Sequence, residues 1–276
     1  MCGRFALDSS TDALIREFVV AGGDYNDWTP AWNISPTDPV AVIIETPRRD
    51  GGDDSDGSDD SDGSDDSDDS DGSDIESNER ELDAADRNAD QESDRARRLE
   101  IARWSLVPSW SKELKMKFPT FNARSETAAE KSMFAASVRS KRAIIPATGY
   151  YEWRTDPDTN VKTPFFIRPA DGELMAMAGL YTWWKDRTAT GDDDGWRLTA
   201  TILTSDAVET LDHIHDRNPV PIPESFWDVW LDPTVVGDQG LVDEAVRAAL
   251  PVAESLEWYE VGPVKGDGPE LIERLR

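Results

Sequence analysis

The sequence predicts an α+β domain built on a mainly antiparallel, barrel-like β-sheet with surrounding helices. Segments rich in β-branched and aromatic residues, separated by turn residues, dominate the chain. Helical patterns are dispersed among them, an order that argues α+β. Of the 276 residues, roughly 225 remain once a long acidic tract is set aside, the size of one domain.

The strands are expected at residues 40–45 (VAVIIE), 101–107 (IARWSLV), 142–147, 150–154, 164–168, 174–183 and 197–204. Helices are expected at 11–20, 125–138, 223–230 and 240–250. Residues 51–74 repeat Ser-Asp and Asp-Gly units, which have almost nothing to bury and repel one another. Residues 79–98 lack an apolar stripe and fit at most a solvated helix. The expected organisation is a single domain over residues 2–276, interrupted by a disordered acidic insertion at about 49–98.

The net charge of −28 is concentrated there: between Asp50 and Asp94 stand 21 acidic and 2 basic residues. The rest of the chain still carries −9, with few lysines, a balance that suits a salt-rich cytoplasm. A single cysteine excludes an internal disulfide and a Cys-rich zinc site. No apolar run approaches a membrane span, and the first residues lack the pattern of a signal peptide. A cytoplasmic monomer follows as the expectation. No GxGxxG follows a strand and no Walker A motif is present, so no phosphate cradle for a nucleotide is expected.

With one cysteine and two histidines, candidates for nucleophile and base are few. Cys2 becomes N-terminal if Met1 is removed, which places a thiol and a free α-amine two carbons apart. An aldehyde would meet the amine as a Schiff base, and the thiol would then close a five-membered thiazolidine in an intramolecular step. The plainer reading is a small buried residue. Asn122, in Asn122-Ala123-Arg124 with Glu126, has an amide able to orient a nucleophile, and Arg124 suits a phosphate. Asn122 also fits an N-cap for a helix at 125–138. Glu152, in Gly149-Tyr150-Tyr151-Glu152-Trp153, stands among aromatics where desolvation would raise its pKa and suit it to acid–base work. It would equally fit a strand glutamate facing water. His213 and His215 would share a face on a strand, but no third ligand is spaced for a metal, so one neutral histidine in proton transfer is the better reading. Residues 101–142 hold nine Lys or Arg against three Glu, interleaved with Trp104, Trp110, Phe118 and Phe121. That pattern suits single-stranded nucleic acid; core aromatics under a solvated cationic face would look the same.

Six segments together resemble the SOS response-associated peptidase (SRAP) family: Met1-Cys2-Gly3-Arg4-Phe5, Trp32-Asn33-Ile34-Ser35-Pro36, Trp104-Ser105-Leu106-Val107-Pro108, Asn122-Ala123-Arg124-Ser125-Glu126-Thr127, Gly149-Tyr150-Tyr151-Glu152-Trp153 and Ile214-His215-Asp216-Arg217. The resemblance implies a sensor that crosslinks itself to abasic sites in single-stranded DNA. It implies Cys2 as nucleophile, Asn122 orienting it, Glu152 relaying protons and His215 helping to open the deoxyribose ring. It also implies DNA contacts by Arg4, Arg124 and Arg217, and a base wedge from Trp104 with the Asn33–Pro36 loop. No cofactor or metal is implied. Action at the nucleoid, autoproteolysis and a possible lyase activity belong to the same family expectation. Trp32 stands where the family usually has tyrosine, and Asn218 where methionine is common. The rival readings are a cysteine peptidase or amidase using Cys2, His215 and Asn122 or Glu152, and a noncatalytic single-stranded DNA-binding module.

Overall fold

The computed structural model describes residues 3–47, 95–190 and 194–275. The chain divides into two compact units, residues 1–45 with 97–276 and residues 46–96. The first carries the elements discussed below, apart from the strand residues 46–47 and 95–96. In chain order the strands are β1 (Arg4–Leu7), β2 (Ala31–Ile34), β3 (Pro39–Pro47), β4 (Arg95–Trp104), β5 (Asn122–Arg124), β6 (Arg142–Ala147), β7 (Gly149–Thr155), β8 (Lys162–Pro169), β9 (Met175–Lys185), β10 (Trp196–Asp206), β11 (Arg217–Pro219) and β12 (Leu256–Glu260). The α-helices are α1 (Thr11–Glu17), α2 (Ala135–Ser140), α3 (Trp227–Leu231) and α4 (Gln239–Glu254).

Five strands close a ring. β10 pairs with β9, β9 with β6, β6 with β3, β3 with β4, and β4 returns alongside β10. The β10–β4 pairing is parallel and the β9–β10, β6–β9 and β3–β6 pairings antiparallel. Ile43, Ile144 and Ala178 are successive cross-strand neighbours. All six residues of β6 are buried, because its inner face fills the barrel while β1 and α3 cover its outer face. Closure leaves no free edge between these five strands. β5 and β11 flank β10 outside the ring, β5 parallel and β11 antiparallel.

A second sheet runs β12-β8-β7-β1-β2 with every neighbour antiparallel. Its two faces are distinct: Phe5, Leu7 and Tyr150 join the main core, whereas Ala6, Tyr151, Phe166 and Tyr259 form a smaller cluster on the other side. This follows the period-2 alternation of strand side chains. Gly149 permits the β7–β8 approach, since a Cβ there would meet the Ile167 carbonyl oxygen at 2.6 Å.

The expected barrel-like, mainly antiparallel sheet is present. The helix expected at 125–138 is not continuous: Ser125–Thr127 form one 3-10 turn and α2 begins only at Ala135. Asn122 therefore caps no helix; it is a β5 residue paired with Ile202. The helix expected at 223–230 is likewise split into a 3-10 turn, Glu224–Phe226, and α3. α4 runs past its expected end through Pro251, which lies in its last turns and forfeits one hydrogen bond. Its buried stripe, Leu241, Val242, Ala245, Ala249 and Ala253, continues through that point. β4 begins at Arg95, so residues 95–98 are strand and not insertion. The acidic tract and most of the candidate helix at 79–98 lie outside the described residues. No helix among the described residues is long and apolar enough to cross a membrane.

The basic strip resolves into different roles. Arg142 is buried, and its guanidinium donates to the carbonyls of Trp230 (2.7 Å), Val138 (2.8 Å), Arg139 (2.9 Å), Val235 (3.0 Å) and Asp232. It ties α2, α3 and β6 together and is unavailable to DNA. Lys112, Lys115 and Lys117 are exposed on the loop after β4.

Candidate active site

Glu152 lies on β7, where Tyr150 and Glu152 share the face turned toward the main core. Its side chain is buried, and burial raises its pKa above the ordinary carboxylate range, while His215 pulls the other way. Glu152, Trp153, Thr155, Lys162 and His215 line one cavity of about 370 Å³. Glu152 does not face open water: it is only 4% exposed.

His215 sits in a turn between β10 and β11, not on a strand, so it shares no strand face with His213. The His213 ring instead packs edge-on against Trp258, with centroids 4.6 Å apart. Two groups approach Nδ1 of His215: the Arg217 main-chain N–H at 3.0 Å and the Asp216 carboxylate at 2.8 Å. A main-chain N–H can only donate and a carboxylate can only accept, so the two contacts ask opposite roles of Nδ1. The Asp216 carboxylate is itself largely exposed. Among the described residues no group of three or more His, Cys, Asp or Glu is placed to hold a metal.

Arg217 occupies the centre of an ion cluster. Its guanidinium makes a two-pronged contact with Glu126, at 2.7 and 3.0 Å, and donates to Asp206 at 2.6 Å and to the Thr204 carbonyl at 2.5 Å. Burial pushes the Glu126 carboxyl up, but the Arg217 pair outweighs it and holds Glu126 below the usual range. Only 8% of the Arg217 side chain is exposed. This corrects the expectation that Arg217 grips DNA: both of its terminal nitrogens are already committed to protein acceptors, and its Nε is buried.

Trp104 needs a second correction. It is fully buried, packed edge-on against Phe5 at 5.0 Å and Phe121 at 5.7 Å, and its indole N–H donates to the Phe121 carbonyl. A ring without accessible surface cannot wedge between bases. The exposed aromatics of the same strip are Trp110 and Phe118, 62% and 75% accessible. Sequence interleaving held both kinds and could not separate them.

Arg4 and Asn33 meet on the opposite face of the second sheet from Glu152. Arg4 pairs in register with Tyr151, and its Nη1 donates to Asn33 Oδ1 at 2.6 Å. Asn33 in turn donates to the Gly266 carbonyl. Pro36 lies in the adjoining turn, where Thr37 holds a positive φ of 83° and donates its N–H to the Trp104 carbonyl. That left-handed conformation is strained for a β-branched residue. Arg124 is exposed at the end of β5, beside Thr204. Asn218 is buried and structural: its carbonyl accepts from Val208 N–H and its amide donates to the Pro219 carbonyl. Cys2 lies outside the described residues. β1 starts two residues after it, beside the strand that carries Glu152.

The family model described as SOS response associated peptidase (SRAP) matches residues 1–265. The chain belongs to the SRAP family. It is 31% identical to the abasic site processing protein YoqW of Bacillus subtilis over 99% of both chains. It is 33% identical to the abasic site processing protein YedK of Escherichia coli, over 66% of this chain and 78% of that one. A solved structure from Bordetella bronchiseptica matches 95% of this chain and all of its own with a TM-score of 0.62 at 19% identity, which shows a shared fold.

Proposed function

We propose that this protein captures abasic sites in single-stranded DNA as a covalent thiazolidine through Cys2. The observation that carries the reading is that a buried carboxyl, Glu152, and His215 line one cavity, with Glu152 on the strand beside β1. Relatives aligned over nearly the full chain are named abasic site processing proteins.

The chemistry balances without a cofactor. As the deoxyribose opens to its aldehyde, the 1′-hydroxyl gives up its proton to water and His215 donates one to the ring oxygen. The Cys2 α-amine adds to C1′, and loss of one water leaves a Schiff base. The thiol then adds across the C=N bond and its proton moves to nitrogen, which closes the ring. Glu152, with its raised pKa, accepts and returns protons at the amine. Asn122 orients the thiol, and Arg4 and Arg124 hold flanking phosphates. Trp110 and Phe118, with Lys112, Lys115 and Lys117, offer an exposed stacking and cationic surface for unpaired bases. One SRAP domain over residues 2–276, acting as a monomer in the cytoplasm at the nucleoid, completes the reading.

The test is single-stranded DNA with one abasic site, mixed with protein and run on a denaturing gel. A shifted band with wild type, lost in Cys2→Ala, is expected. Absence of the band with wild type would overturn the reading. Turnover of peptide substrates without a stable DNA adduct would favour the peptidase alternative, and undiminished DNA retention by Cys2→Ala a noncatalytic binding module.

A further inference from the structure

We propose that Arg217 is a positioning residue that fixes His215 and the Asn122–Glu126 segment relative to one another, and not a phosphate contact. The inference rests on the capture reading above for its functional consequence.

The geometry is specific. Thr204 of β10 lies between Arg124 of β5 and Pro219 of β11 in register. The Arg217 guanidinium crosses this junction, binding Thr204 and Asp206 of β10 on one side and both oxygens of Glu126 on the other. From the same residue the main-chain N–H reaches His215 Nδ1. The far side of the 125–127 turn is held as well, because Gln239 of α4 donates to the Ser125 carbonyl at 2.8 Å. One side chain thus sets the spacing between the segment that carries Asn122 and the turn that carries His215. The two terminal guanidinium nitrogens together meet two carboxylates and a carbonyl, while Nε makes none of these contacts; a lysine ammonium cannot span all three. A DNA phosphate would have to displace Glu126 and Asp206 first.

Arg217→Lys and Glu126→Gln are compared with wild type by three readouts. Imidazole ¹⁵N spectra, assigned with His215→Gln, should show the His215 signals displaced from wild type in both variants. The capture rate on abasic single-stranded DNA should fall about tenfold or more, with its pH profile displaced. The salt dependence of binding to intact single-stranded DNA should stay unchanged. A phosphate contact predicts instead that both variants leave the His215 signals alone, that Glu126→Gln tightens intact DNA by freeing the guanidinium, and that Arg217→Gln lowers the log–log salt slope by about 0.7. Those results would overturn the proposal, as would wild-type capture rates in both variants. If wild type itself forms no adduct, the capture reading fails, while the spectra and salt slope still decide what Arg217 does. Glu126→Gln keeps shape and fold even if the Arg217 variants do not.

Discussion

The main-chain N–H of Arg217 lies 3.0 Å from Nδ1 of His215, the histidine that lines one cavity with Glu152. The segment that carries His215 is thereby tied to the residue whose guanidinium holds Glu126. Capture with an ionised Glu152 as base sets the first expectation.

Glu152→Gln should lower the capture rate by about 10²–10⁴ while leaving affinity for intact DNA unchanged, measured by single-turnover gels and by anisotropy. In wild type the rate should rise with pH through the elevated pKa of Glu152, above the ordinary carboxylate range, and the Gln variant should lose that limb.

The same substitution should stabilise the fold at alkaline pH. Burial raises the folded-state pKa of Glu152, so its favourable contribution is complete below the unfolded value of about 4.5 and is lost as pH rises through the folded value. Glu152→Gln should therefore melt higher than wild type at pH 8 and equally at pH 4, with about 2–4 °C for each kcal/mol. Equal melting temperatures at both pH values would contradict this.

Trp104 and Trp110 should respond in opposite ways. Trp104→Ala opens a cavity beside Phe5 and Phe121 and should cost about 3–5 kcal/mol in urea unfolding. Trp110→Ala should change stability by less than about 0.5 kcal/mol yet weaken binding to intact single-stranded DNA by roughly 1–3 kcal/mol.

Arg142→Met should strand five carbonyls, those of Val138, Arg139, Trp230, Asp232 and Val235. Each buried unsatisfied group costs about 1–3 kcal/mol, so calorimetry should show little or no cooperative unfolding transition.

The acidic surface outside the 50–94 tract should make stability depend on salt. The melting temperature should rise from dilute buffer to about 1 M KCl as repulsion is screened to a few Å. Equal stability in both would remove the salt-adaptation reading.

Most strands were legible. β6 starts and ends where the run RAIIPA does, because β-branched residues bounded by turns carry a local signal. β5 was missed: three residues, Asn122–Arg124, have no periodicity of their own and become a strand only beside Ile202–Thr204. The helix expected at 125–138 failed for a related reason. Its first turn is held by Arg217 and Gln239, partners 91 and 114 residues away, and not by its own propensity.

By itself the sequence determined the SRAP motifs, the lone cysteine at position 2, the raised pKa expected of a glutamate among aromatics, and a barrel-like antiparallel sheet. Those depend on residue type and on neighbours within a few positions. Tertiary structure alone decided that Trp104 is core and Trp110 surface, that Arg217 serves Glu126 and Asp206, and that His215 shares a cavity with Glu152. Exposure and hydrogen-bond partners are set by elements that meet across the fold, and no local pattern records which donor a distant strand will bring.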